Sequence, residues 1–137
     1  MKSHKLLFLM FVAALICFAC KKKDEHSERF KLLTGHVWVS DSLLVDGDDA
    51  GGADGLLEKF AGDAEFREDG TGYFGQYKGT WYFSNLEKDI TITTDSLIVP
   101  LTSRIAELTQ TSFKITTNYP SPVPGVSLAI RITFKSK

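Results

Sequence analysis

The chain has 137 residues, enough for one domain and too few for two. Its hydrophobic content of 43% is sufficient to build a core, and its formal net charge of −1 leaves no basic excess for nucleic-acid binding. Both cysteines lie within the first twenty positions, so the chain beyond them has no disulfide, no thiolate metal site and no cysteine nucleophile.

The chain opens with the basic stretch Met1-Lys2-Ser3-His4-Lys5. An uncharged apolar run follows from Leu6 to Ala19, and Lys21-Lys22-Lys23 close it. A basic start, a short apolar centre and a small exit residue are the parts of a secretory signal. The run falls short of the about 20 apolar residues that a spanning helix needs. Cys17-Phe18-Ala19-Cys20 resembles a bacterial lipobox, in which a small residue precedes a cysteine that becomes the new N-terminus. That resemblance implies lipid attachment at Cys20, with a thioether-linked diacylglycerol and a further acyl chain of the palmitate kind. One acyl chain holds a protein only marginally, and the three that the resemblance implies make a durable membrane anchor. A retained membrane helix and a Cys17–Cys20 bridge are the alternatives. Lys21 to Glu28 reads as a charged tether or a plain solvated linker. Within it, Lys23-Asp24-Glu25 resembles the surface-export signal of Bacteroidota lipoproteins. The expected organisation is a signal peptide at 1–19, a tether at 20–30 and one domain at 31–137, at the outer membrane of the cell envelope, with surface display as the further expectation from the export-like signal.

Ser27 as N-cap and Gly35 as stop predict one or two helical turns between them, with Phe30 and Leu33 on a common face that can pack on a barrel end. Val37 to Val45 predicts a strand by its β-branched and aromatic content. Asp46 to Gly55 predicts a loop, and Leu56 to Phe60 a helical turn. Strands are then expected at 64–67 and 71–76 around an Asp69-Gly70 turn, and at 78–83 and 89–93 around Ser84 to Glu87. Further strands are expected at 96–101, 103–108 and 112–117. A proline-rich loop, Pro120 to Gly125, precedes a last strand whose alternation is the cleanest in the chain. Leu128, Ile130, Ile132 and Phe134 share one face and Ala129, Arg131, Thr133 and Lys135 the other. Period two with one apolar face means half-buried antiparallel strands. About eight of them joined by hairpins predict an all-β, up-and-down barrel or a sandwich.

The order of features is similar to that of the lipocalin-like domains of Bacteroidota lipoproteins. Leu32-Leu33-Thr34-Gly35-His36-Val37-Trp38 resembles their opening, and Phe66-Arg67-Glu68-Asp69-Gly70-Thr71-Gly72 their F-x-x-D-G-T hairpin. Gly79-Thr80-Trp81 with Ile90-Thr91-Ile92 resembles the next hairpin, and Ile105 to Phe113 the late one. The resemblance spans about residues 31–118. It implies a lipocalin-like β-barrel able to hold a small apolar molecule, and it identifies none.

Trp38, Phe66, Tyr73, Trp81, Phe83 and Phe113 are the candidate ligand-lining residues; Phe134 is a further aromatic of this kind. Filling the barrel as core is the plainer role open to most of them, with Trp38 sealing one end against Phe30 or Leu33. Asp46 to Asp54 invites a calcium reading, but Ala50 and Leu57 fall where an EF-hand needs oxygen ligands, so an acidic loop is the better description. Asp69-Gly70-Thr71-Gly72 is a hairpin turn, not a protease signature. His26 and His36 have no third ligand at zinc spacing and no triad partners. No catalytic residue, cofactor or metal is therefore expected. The leading expectation is a lipid-anchored, non-enzymatic barrel that binds a small apolar ligand. The alternative is a structural or accessory lipoprotein with a filled barrel that docks another envelope protein.

Overall fold

A computed structural model describes residues 25–137; the expected signal peptide, Cys20 and the lysines of the tether lie outside the described residues. Helix α1 (Glu28–Thr34) starts where Ser27 Oγ accepts a hydrogen bond from Phe30 N at 3.0 Å, and it stops at Gly35, whose N–H donates to Lys31 O. Nine strands follow. They are β1 (Val37–Val45), β2 (Asp48–Asp49), β3 (Asp63–Phe66), β4 (Thr71–Phe74), β5 (Tyr77–Ser84), β6 (Asp89–Thr94), β7 (Leu101–Leu108), β8 (Ser112–Pro120) and β9 (Ser127–Ser136). A single 3₁₀ turn, Glu58–Phe60, lies between β2 and β3.

Neighbours along the chain pair antiparallel from β3 through β9, β3 pairs with β1, and β9 returns to β1. The eight long strands thus close into the expected lipocalin-like up-and-down barrel, with β2 as an extra ribbon on β1. The seam registers Trp38 with Ser136 and Val45 with Ile130, bulging between Ser40 and Ser42. Asp41 is the extra residue, and its carboxylate meets Lys135 outside the barrel at 2.8 Å.

The alternation of apolar residues decides which side faces in. Leu43 and Val45 on β1, Ile90 and Ile92 on β6, Phe113 and Ile115 on β8, and Ile130, Ile132 and Phe134 on β9 are all buried. Each such side chain contributes on the order of 1.5–3 kcal/mol through burial.

Two expected elements differ. The stretch Asp46 to Gly55 is not all loop. Asp46 and Gly47 take positive φ of 52° and 91°, the geometry of a tight two-residue hairpin turn, and β2 pairs with Leu44 and Val45. Residues 96–100 do not form a strand. Ile92 pairs with Leu101, so β7 begins only there. Pro100 has no N–H to donate to a ladder, and Ile98 is 98% exposed.

The barrel has two unlike ends. At its base, α1 lies across the opening with Leu33 fully buried, and Trp38 Nε1 donates to Leu33 O at 3.0 Å. Around that contact the rings of Phe66, Trp81 and Phe113 meet at 5.5–5.7 Å, and Phe113 stacks on Phe134. At the mouth, three longer connections carry the chain: residues 50–62, 95–100 and 121–126.

Candidate apolar cavity at the barrel mouth

The mouth is hollow where the base is filled. A cavity of about 390 Å³ opens there, within the range of about 300–1,000 Å³ typical of small-molecule sites. Its floor and walls come from strand ends: Val45 on β1, Tyr77 on β5, Leu101 on β7, Tyr119 on β8, and Leu128 and Ile130 on β9. Its cover comes from the loops, with Leu56, Leu57 and Phe60 from one, Leu97, Ile98 and Val99 from another, and Ser121 and Pro122, next to Pro120 at the end of β8, from the third. Hairpin geometry explains the gathering. Consecutive antiparallel strands put every second turn at the same end, so the apolar termini of five strands and three loops meet there.

Polar groups at the cavity are few. Tyr119 donates its hydroxyl to Val99 O at 3.3 Å, which ties β8 to the loop before β7. Ser121 Oγ accepts from Val123 N at 3.1 Å, inside its own turn. Tyr77 packs its ring on Phe60 at 4.7 Å, and burial, then the nearby Tyr119, holds its phenol above the ordinary tyrosine value. The rim is apolar as well, since Leu56, Ile98, Val99, Val123 and Val126 are all exposed.

None of the six aromatic residues expected to line a ligand is among the lining of this cavity. Trp38, Phe66, Trp81 and Phe113 are buried in the base. Trp81 Nε1 is shared between Arg67 O and Thr71 O, pinning the β3–β4 hairpin, and Phe83 packs on Trp81 at 5.4 Å. Tyr73 pairs across from Glu65 on the outer face, with the Arg67 guanidinium 5.8 Å from its ring centre. Burial first, then the Glu65 and Asp63 carboxylates, raises its phenol. The tryptophans draw attention in a sequence because they are large, and size suits them to plug an end. The cavity residues are mostly ordinary aliphatics and prolines, with Phe60, Ser121 and two tyrosines. Only the alternation of β9, which aligns Leu128 and Ile130 inward, marked any of them in advance.

Other singled-out groups have local roles. His26 stacks on Phe30 at 4.2 Å, and His36 meets Trp38 edge-on at 5.4 Å. Asp49 Oδ1 accepts from Gly51 N, and Glu58 Oε2 from Asp54 N. Asp69 Oδ1 accepts from both the N–H and the hydroxyl of Thr71, closing the hairpin turn. No group of three or more potential metal ligands occurs among the described residues, and no helix among them is long and apolar enough to cross a membrane. No family model matches this chain, and no curated protein does.

Proposed function

We propose that this protein is a lipid-anchored, lipocalin-like lipoprotein of the cell envelope, held to a membrane through Cys20, that binds a small apolar ligand at the barrel mouth without catalysing a reaction. The observation that carries ligand binding is the cavity of about 390 Å³, walled by aliphatic strand ends and open between three loops. A barrel serving only as scaffold gains stability by filling such a space, because an apolar hollow costs stability roughly in proportion to its volume. Support for the anchor comes from sequence: a signal-like leader that ends in Ala19-Cys20.

The exposed apolar rim, Leu56, Ile98, Val99, Val123 and Val126, favours a second reading, in which the mouth docks another envelope protein. The hollow beneath the rim weighs against it, since a docking face needs no interior volume.

One measurement tests both halves of the proposal. Intact-mass analysis of the protein purified from its host membranes is expected to give a chain that starts at Cys20 and carries acyl groups. Native spectra of the same sample are expected to add a stoichiometric small molecule. An unmodified Cys20 would overturn the anchor. A ligand-free protein that also takes up no apolar compound in titration would overturn the binding role.

A further inference from the structure

We propose that the mouth cavity selects an apolar ligand whose polar end is an uncharged hydrogen-bond acceptor, such as an ester or ketone, held by the Tyr77 hydroxyl, and that it discriminates against the carboxylate of a fatty acid. The inference rests on the ligand-binding reading above and supplies the chemistry of the occupant.

Three hydroxyls are the only side-chain polar groups in the lining, and none of the lining residues is lysine, arginine or histidine. Two hydroxyls already have partners: Tyr119 donates to Val99 O, and Ser121 Oγ receives Val123 N. Tyr77 differs. Its ring is fixed between the strand and Phe60, and its hydroxyl makes no hydrogen bond with any described residue. Burial keeps the phenol protonated well beyond neutral pH, so it stands as a donor. The hydroxyl stays open to solvent in an otherwise apolar wall, so a ligand acceptor takes the place of water on it while the rest of the ligand fills the apolar space.

A carboxylate meets the opposite situation. An anion drawn into an apolar enclosure without a cation loses its hydration and gains little in return. Charges within two positions of the lining do not supply the cation. Asp46, Asp54, Glu58 and Asp95 outnumber Lys59, Lys78 and Arg131, and all three basic side chains are exposed. Lys78 and Arg131 moreover alternate to the outer face of their strands, next to inward Tyr77 and Ile130.

The test uses the full chain and displacement of N-phenylnaphthylamine, an uncharged dye, at pH 8 by methyl decanoate, decanoate and decane. Methyl decanoate is expected to bind about tenfold more tightly than decanoate. Tyr77→Phe is expected to weaken the ester about fivefold while moving decane by less than about twofold. Equal binding of decanoate and its ester overturns the selectivity, and a Tyr77→Phe that weakens decane as much as the ester overturns the role of the hydroxyl. Failure of the dye and all three ligands to bind removes the ligand-binding reading itself, and this inference with it.

Discussion

Ser103 is the one buried side-chain polar atom among the described residues without a hydrogen-bond partner, and it points into the barrel on β7 between Leu101 and Ile105. A buried hydroxyl left alone costs about 1–3 kcal/mol relative to one that is satisfied. Ser103→Ala is accordingly expected to be neutral or to stabilise by up to about 1 kcal/mol, read from urea unfolding; a clear loss would mean that the hydroxyl has a partner in solution. Asp69 sits at the other extreme, fully exposed but doubly bonded. The hydroxyl of Thr71 first, and its N–H second, holds the Asp69 carboxyl below its ordinary value. A depressed carboxylate stabilises the fold above its unfolded pKa, and that contribution fades as pH falls through the folded value. Thr71→Val is therefore expected to move the Asp69 titration upward, toward the ordinary carboxylate range, when followed by carboxyl NMR. An unchanged midpoint would refute the hydroxyl's part.

Between strands, the β5–β6 turn stores the most evident strain. Asn85, Leu86 and Glu87 all have positive φ, of 52°, 54° and 62°, a conformation that costs residues with a Cβ roughly 1–2 kcal/mol each. Helix α1 clasps this turn: Ser27 Oγ donates to Glu87 Oε1 at 2.7 Å and Arg29 Nε to Glu87 O at 3.0 Å. Leu86 itself is 90% exposed and packs on little. Leu86→Gly should thus leave stability unchanged or raise it by about 1 kcal/mol in thermal melts, relief of strain outweighing glycine's added chain entropy. Strands were the most legible elements in the chain. Val37 to Val45 follows its β-branched and aromatic content along its whole length, and β9 follows its alternation. The apolar run before Leu101 misled for a physical reason: apolar, β-branched content reads as a buried strand, whereas Leu97 borders the cavity and Ile98 and Val99 stand exposed at its rim, none of them in a ladder. The hairpin at Asp46-Gly47 was legible only as a loop, because the extra ribbon is two residues long.

At the scale of the molecule, alternation reports whether a residue faces in or out and says nothing of its height along the barrel axis. That is why Phe66, Trp81 and Phe113 were recognisable as interior residues while their place at the base was not; only Trp38 was expected there, sealing an end against Phe30 or Leu33, and it does so through Leu33. The hollow end is an arrangement of ordinary aliphatic residues, so it emerges only when eight strands close. Its volume makes a direct prediction. Leu128→Trp is expected to fill the cavity and abolish uptake of an uncharged dye, while the melting temperature stays within a few degrees, because there is room for the added ring. In the unaltered protein, a ligand at a hundredfold its Kd should add about 2.7 kcal/mol, raising the melting temperature by roughly 10 °C. A dye that still binds the filled variant would locate binding elsewhere.

Both ends of the described chain leave from the same pole. Residue 25 leads into α1, and Lys137, bonded to Val37 O and to the Asp63 carboxylate, lies beside the start of β1. A bead, chip or fluorescent fusion attached ahead of Glu25 or after Lys137 therefore grips the molecule from behind. The opening points away from the support and keeps free access to solvent.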